Sequence, residues 1–192
     1  LRLDNNEMRK MVGTMGHKVL QDLVDLYANR KGNRQQILNN SLFTAAQFQV
    51  LENGVKDIIS KIRAQQKAID PEGKVVIRTE QMTVNRAEDT GGSIDLMALF
   101  SDGSASIYDY KFISPSKYSG YVDKMTNRIV EDPHSVKMQT YDMQISQYKN
   151  HLLDNYGVTQ VRQSRIVPIH IRFKTTNDGK ITNQISVVQM GT

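Results

Sequence analysis

Apolar residues spaced three and four positions apart predict two long helices in the first third of the chain. In the first helix the apolar positions share one face, at Val12, Met15, Val19, Leu23 and Leu26. Gly32 follows two basic residues, which is typical of a helix end. A polar linker, residues 33–41, leads to a second helix whose apolar positions run from Phe48 to Ile69, and Pro71 with Gly73 ends it.

The pattern then changes to short runs rich in β-branched and aromatic residues. These runs predict strands over residues 74–84, 93–100 and 104–113, and Gly103 between the last two marks a hairpin turn. A further helix is predicted over residues 136–156 and closed by Gly157, followed by two strands on either side of residues 177–179. The sequence of residues 114–133 fits either a loop or a short helix.

This element order predicts an α/β or α+β domain with the fourth strand beside the earlier three. A length of 192 residues suits a single domain. We expect one domain over residues 1–192, with a helical part at 1–72 and a sheet-and-helix part at 73–192.

Composition narrows the possible chemistry. The chain has no cysteine, which excludes disulfides, cysteine nucleophiles and cysteine-ligated zinc or iron–sulfur clusters. The net charge of +5 is compatible with a polyanionic partner but does not demonstrate one. No apolar run approaches the ~20 residues of a membrane span, and no signal-peptide pattern is present. We therefore expect no membrane partner and an intracellular, non-secreted protein, in the cytoplasm or in an organelle or host cell if viral.

The strand at residues 104–113 carries a charged pair on one side. Asp109 and Lys111 are two residues apart, so their side chains point the same way. The predicted hairpin brings Asp95 close to Asp109, and two carboxylates repel each other unless a cation lies between them. Lys111 is one such cation, and a divalent metal is the other, with Mg²⁺ or Mn²⁺ preferred by hard oxygen ligands. The plainer alternative is an exposed cross-strand ion pair worth ~0.2–1 kcal/mol.

Other polar residues accompany this pair on neighbouring elements. Glu80 lies in the preceding strand, and His17 lies on the apolar face of the first helix. Gly13 and Gly16 within one helical turn cost ~1 kcal/mol each relative to Ala, which indicates a need for close approach or for room. Gln144 and Tyr148 are four apart on the later helix and share one face.

Taken in chain order, these residues resemble the motifs of the PD-(D/E)XK nuclease superfamily and its RecB-like branch. The resemblance covers residues 11–173, although Ile94 stands where the family often has proline. Its motifs are G-T-x-x-H at Gly13, Thr14 and His17, a strand glutamate at Glu80, G-x-x-D at Gly92 and Asp95, D-x-K at Asp109 and Lys111, and Q-x-x-x-Y at Gln144 and Tyr148.

The resemblance implies a restriction-endonuclease-like core, a central mixed sheet of αβββαβ order flanked by helices. It implies a deoxyribonuclease, with exonuclease favoured, that uses one or two Mg²⁺ or Mn²⁺ ions on single- or double-stranded DNA, within a larger replication, recombination or repair assembly. With no cysteine, the chain resembles members that lack an iron–sulfur cluster.

The resemblance also implies residue roles. His17, Asp95, Asp109 and the main-chain carbonyl of Tyr110 would hold the metal. Lys111 would orient or deprotonate the attacking water, and Glu80 would support a second metal or the water. Gln144 and Tyr148 would brace the site and face the substrate backbone.

Two other functions stay open. One is a non-catalytic nucleic-acid-binding or assembly module on the same fold, against which Asp95, Asp109 and Lys111 argue by being present together. The other is an endonuclease or RNA-cleaving domain of a larger phage or mobile-element protein.

Basic residues near the predicted site either guide a polyanion or form ordinary solvated surface. They are Lys117, Lys124, Arg128, Lys137, Arg30, Lys31 and Arg34. Residues 114–133 are the expected substrate-gripping element, because long loops are often functional.

Overall fold

A computed structural model describes residues 5–85, 90–114, 120–122, 125–126, 128–131 and 134–191. The helices are α1 (Asn5–Asn29), α2 (Arg34–Asn39), α3 (Ala45–Ile69) and α4 (Val136–Asn155). The strands are β1 (Val76–Asn85), β2 (Thr90–Leu99), β3 (Ala105–Ile113), β4 (Gly120–Val122), β5 (Ile129–Glu131), β6 (Val161–Thr175) and β7 (Ile181–Met190).

Five strands form one mixed, open sheet in the order β1-β2-β3-β6-β7. The β3–β6 pair is parallel, and the other three pairs are antiparallel. The prediction of an α/β fold with a mixed sheet flanked by helices is confirmed, as is the position of β6 beside the earlier strands. The short β4 and β5 form a separate two-stranded antiparallel sheet.

Helices cover both faces of the sheet. Alternate strand residues point to opposite faces, so each face has its own apolar side chains to bury against a helix. On one face, α1 and α3 pack against a large apolar cluster; its fully buried members include Leu20, Leu23, Phe48, Leu51 and Ile62. On the other face, α4 packs through Ile145 and Leu152 onto Ile94 and Ile107. Residues of β3 therefore alternate between a face toward α1 and a face toward α4.

The helix ends follow the sequence signals closely. Gly157 has a positive φ of 68° just past α4, whereas the residue directly past α1 with a positive φ is Arg30, at 55°, and Gly32, at 92°, follows it by two residues. Thr44 and Gln47 form a reciprocal capping box at the start of α3. These local signals explain why the helix predictions agree with the structure to within a few residues.

The polar linker predicted over residues 33–41 was wrong in part, because it contains the short helix α2. The side chain of Asn33 caps this helix by accepting a hydrogen bond from the amide of Gln36, and Ile37 is buried beneath it. Arg34, one of the basic residues that would either guide a polyanion or form solvated surface, forms an ion pair of 2.7 Å with the buried Glu52.

Much of the predicted substrate-gripping segment, including Lys117 and Lys124, lies outside the described residues, as do residues 86–89. Of residues 114–133, the structure describes the β4–β5 pair and a few positions around it. Across the described part of the chain, no helix combines the length and the apolar character that crossing a membrane requires.

Candidate active site

The sheet forks at the point where the predicted site residues lie. Strands β2 and β3 pair from Leu99 and Ala105 as far as Leu96 and Tyr108, and their ladder ends there. Beyond that point β2 continues to pair with β1, and β3 continues to pair with β6. The two strands therefore part at Asp95 and Asp109, which are the next residues along each.

The side chain of Asp95 bridges this fork. Its Oδ2 accepts a hydrogen bond of 2.7 Å from the backbone amide of Tyr110, in place of a strand-to-strand bond. The same oxygen lies 3.4 Å from Nε2 of His17 on α1. Asp95 is buried, so its charge is held among few partners, and each partner matters more than it would in water.

His17 is a cation in this arrangement. Its Nδ1 lies 2.8 Å from the carbonyl oxygen of Gly13, and its Nε2 lies 3.0 Å from that of Tyr110. Carbonyl oxygens only accept hydrogen bonds, so both ring nitrogens must donate, which requires the imidazolium form. Burial would lower the pKa of His17, but the hydrogen bond and charge of Asp95, together with the two carbonyls, raise it to about 9.

The two carboxylates of the fork titrate differently. Burial, and then the neighbouring charge of Asp95, raises the pKa of Asp109 to about 6. Burial also disfavours ionised Asp95, but the hydrogen bond and charge of His17 outweigh it and hold the pKa of Asp95 below its usual range. Asp95 is thus the carboxylate of the pair that ionises more readily, and Asp109 is the one that takes up a proton more readily.

Lys111 lies on the same side of β3 as Asp109, as the strand alternation predicts. Its Nζ is 3.0 Å from Oδ2 of Asp109, in an ion pair whose geometry makes no hydrogen bond, so this buried oxygen has no hydrogen-bond partner. The same ammonium donates to Oε1 of Gln144 on α4 at 2.7 Å and lies 4.9 Å from the centre of the Tyr141 ring.

Gln144 and Tyr148 extend this network along α4. Nε2 of Gln144 donates to the hydroxyl of Tyr148 at 3.1 Å, while its Oε1 receives the Lys111 bond. The Tyr148 ring packs directly against Gly92, where any side chain would overlap it. The structure therefore brings Gln144 to the candidate site and explains the glycine that opens the G-x-x-D motif.

Glu80 lies opposite Asp95 but is turned away from the ladder. Its neighbours Thr79 and Gln81 pair with Leu96 and Ile94, whereas Glu80 has a φ of 49° and no ladder partner. Its carboxylate accepts a 2.9 Å hydrogen bond from Ser93. A positive φ in a non-glycine residue costs about 1–3 kcal/mol and is often found at functional sites.

The two glycines of α1 have different roles. A Cβ at Gly16 would overlap the ring of Phe112, whereas a Cβ at Gly13 would have no heavy atom within 4 Å. The Phe112 ring also lies 5.4 Å from the imidazole of His17, centre to centre. Phe112 was not among the predicted site residues; the one sequence signal for it is its place one residue after Lys111, on the face toward α1.

Two further histidines, His151 and His170, lie apart from the fork. His151 is buried, with its ring nitrogens 3.3 and 3.2 Å from the hydroxyls of Thr83 and Thr90, so it joins α4 to strands β1 and β2. His170 is buried on β6, and burial together with nearby cations lowers its pKa to about 4.

The donor set of the fork suits a hard cation in part. Two buried carboxylates, one with an oxygen that lacks a hydrogen bond, and the Tyr110 carbonyl are oxygen ligands of the kind that Mg²⁺ prefers. However, Nε2 of His17 is used by the Tyr110 carbonyl, and the described residues contain no group of three or more His, Asp or Glu side chains already placed to hold a metal ion. The positive charges of His17 and Lys111 balance the carboxylates in this structure.

Comparisons of the chain with protein-family models, with curated proteins and with solved structures each found no match. The function must therefore be inferred from the residues of the fork and from their geometry.

Proposed function

We propose that the chain is a divalent-metal-dependent nuclease that hydrolyses phosphodiester bonds in DNA. The proposal extends to the PD-(D/E)XK superfamily, to the order of its restriction-endonuclease-like core, and to the RecB-like branch that lacks an iron–sulfur cluster. Exonuclease activity is the favoured form, because that branch is the one whose motifs the sequence resembles.

The observation that carries this proposal is the convergence at the fork of the sheet. Asp95, Asp109 and Lys111 are far less common together in a buried site than on a protein surface, because each charge loses hydration there. Here Asp109 lies 3.0 Å from Lys111 and Asp95 lies 3.4 Å from His17, and the two carboxylates are close enough to act on each other's pKa. Buried groups with shifted pKa values and specific charge partners are typical of catalytic sites.

The metal would be held by the two carboxylates, the Tyr110 carbonyl and Nε2 of His17. Binding of the metal would require His17 to release the Nε2 proton that it donates to the Tyr110 carbonyl, and it would require Asp109 to be ionised. A bound divalent cation would supply positive charge to the pentacovalent phosphate and lower the pKa of a water molecule.

Lys111 would serve the phosphate and the attacking water. Its ammonium already lies 3.0 Å from Asp109 and is fixed by Gln144, so it can donate to a phosphate oxygen without a large rearrangement. Gln144 would be a positioning residue, because it acts through Lys111, and Tyr148 would orient Gln144. Glu80, bonded to Ser93, would act at the edge of the site on the water or the substrate.

Cleavage of end-labelled linear and circular DNA, single- and double-stranded, tests the proposal. We expect cleavage with Mg²⁺ or Mn²⁺ and none with EDTA, and a loss of about 100-fold or more in Lys111→Ala, the size of a lost acid–base or electrostatic group. Lys61→Ala is the matched control, since Lys61 is an exposed lysine paired with Asp57 on α3. Digestion of linear but not circular DNA would identify an exonuclease.

Two results would contradict the proposal. Cleavage that Lys111→Ala leaves unchanged would place the activity elsewhere. DNA binding by the wild type without cleavage in either metal would favour the non-catalytic module instead.

A further inference from the structure

A cleft of about 290 Å³ opens beside the candidate site, at the end of β3. It is bounded by α1, β3, β6 and the start of α4, and its lining includes Arg9, Val12, Phe112, Lys137, Ile171 and Phe173. The cleft thus combines an apolar floor, two aromatic rings and two cations.

Phe112 joins this cleft to the fork of the sheet. It directly follows Lys111 in β3, and its ring packs on Gly16 and beside the imidazole of His17. Because it is only partly buried, it also presents surface to the cleft. A ligand in the cleft would therefore lie one residue along the strand from the proposed catalytic lysine.

The charge around the cleft is positive. Arg9 and Lys137 are exposed at its rim, and the described residues that line it include no Asp or Glu. Lys137 also belongs to a wider group of cations: after burial, the charges of Arg128, Arg172 and Lys137 are what lower the pKa of His170. An anionic ligand would be attracted to this end of the molecule.

The pairing of aromatic rings with cations fits an unpaired nucleotide. Single-stranded nucleic acids are bound by stacking bases on aromatic side chains while basic residues follow the backbone. Bases inside a duplex are already stacked on one another and cannot use such a cleft. A volume of 290 Å³ is near the lower end of ligand pockets, ~300 Å³, which suits one nucleotide and not a duplex.

We propose that this cleft binds one unpaired nucleotide of a single-stranded substrate, with its base on Phe173 and its phosphate between Arg9 and Lys137. The inference rests on the proposed function for what happens to the neighbouring phosphodiester. It adds that the substrate is a single strand, or a duplex with a single-stranded end.

Binding without cleavage tests this directly. Fluorescently labelled oligothymidine, oligouridine and a blunt hairpin duplex are titrated with the protein in EDTA, and anisotropy is recorded at several salt concentrations. We expect oligothymidine to bind more tightly than the blunt duplex. If oligouridine binds as tightly as oligothymidine, the cleft accepts an unpaired nucleotide with either sugar. If oligouridine binds more weakly than oligothymidine, the cleft prefers an unpaired nucleotide of DNA.

Phe173→Leu and Phe173→Tyr form a matched pair. Leucine retains the apolar packing of this partly buried residue but has no ring, so we expect oligothymidine binding to weaken about 5- to 150-fold, the equivalent of one stacked base. Tyrosine retains the ring and should retain wild-type affinity. Thermal unfolding checks that both variants are folded.

A charge pair completes the test. Arg9→Ala with Lys137→Ala should weaken binding and reduce the slope of log affinity against log salt by about 0.7 for each lost phosphate contact. The comparison is Lys56→Ala with Lys67→Ala, which removes the same charge from a separate groove of about 460 Å³ on α3. A larger loss in the α3 double variant, wild-type binding by Phe173→Leu, or equal affinity for the blunt duplex would each overturn the inference.

The outcomes separate this inference from the proposed function. If the wild type cleaves single strands but the cleft variants bind and cleave normally, only the inference fails. If the wild type cleaves nothing but oligothymidine binding still depends on Phe173, the nuclease proposal fails and the nucleotide cleft stands.

Discussion

The backbone amide of Tyr110 donates a 2.7 Å hydrogen bond to the carboxylate of Asp95, one residue beyond the last pair of the β2–β3 ladder. A side chain thus continues the hydrogen bonding where the strands separate. The separation makes room for His17 from α1 and leaves Asp109 facing α4. The carboxylate of Asp95 therefore links the two strands where their ladder ends, and it also favours the protonated form of His17.

Asp95→Asn should lower the pKa of His17. The pKa is raised to about 9 by the hydrogen bond and charge of Asp95, against the opposing effect of burial. An asparagine has no charge, so burial should dominate and the pKa should fall to or below the ordinary value of 6.5. The measurement is an NMR pH titration of the His17 ring in the presence of EDTA.

Glu80→Gln is the control for this titration. Glu80 is exposed and bonded to Ser93, and the largest shifts in the pKa of His17 come from burial, Asp95 and the two carbonyls instead. Its removal should leave the pKa of His17 near 9. A His17 pKa that stays near 9 in Asp95→Asn would show that the two carbonyl acceptors alone hold the proton.

Much of this arrangement can be predicted from local sequence patterns. The helix periodicity and the turn glycines place α1, α3 and α4, and strand alternation puts Asp109 and Lys111 on one side of β3. Residues four apart on α4 place Gln144 and Tyr148 on one face. Each of these statements depends on spacing within a single element, which the sequence contains.

The rest depends on contacts between elements. No pattern along β2 or β3 signals that their ladder ends at Leu96, because both strands continue as strands with other partners. The positive φ of Glu80 arises at that same point and has no residue signature, such as glycine, to announce it. The cleft beside Phe112 joins four elements, so it appears only when they are packed together.

Gln144→Leu should slow the proposed cleavage by about tenfold or more without weakening DNA binding. It removes the acceptor that fixes the Lys111 ammonium at 2.7 Å, and loss of positioning lowers turnover more than affinity. The measurement is kcat and KM on a labelled linear DNA with Mg²⁺.

Tyr148→Phe is the matched control on the same helix. It removes only the hydroxyl that accepts a hydrogen bond from Gln144 and leaves the bond between Gln144 and Lys111 in place. Turnover should therefore change by less than about fivefold, because one hydrogen bond contributes about 1 kcal/mol. Wild-type turnover by Gln144→Leu would remove Gln144 from the site.

Gly16→Ala should be less stable than Gly13→Ala. A methyl group at Gly16 overlaps the Phe112 ring, and overpacking of this kind costs about 1–3 kcal/mol, which cancels or exceeds the gain in helix propensity that both variants share. A methyl group at Gly13 meets no neighbouring atom, so the variant should gain about 0.5–1 kcal/mol from the better helix propensity of alanine. Urea denaturation measures the free energy of unfolding of both, and equal changes would contradict the packing of Phe112 on α1.

His170 should make the protein sensitive to mild acid. Its pKa is about 4 when folded, because of burial and then of Arg128, Arg172 and Lys137, against 6.5 as the ordinary value. Between these values the unfolded chain binds a proton that the folded chain does not, so stability falls as pH drops from about 6.5 to 4, by up to about 3 kcal/mol.

His170→Gln isolates this effect, because a glutamine does not titrate. The raised pKa of Asp109 acts in the opposite sense over part of this range, since its folded form takes up a proton first and gains stability as pH falls below about 6. That contribution is common to both proteins and cancels in the difference between them. Urea denaturation across pH 4 to 6.5 should therefore show wild-type stability falling relative to the variant as the pH drops. Parallel curves would mean that His170 is protonated in the folded protein despite its burial and the three cations around it.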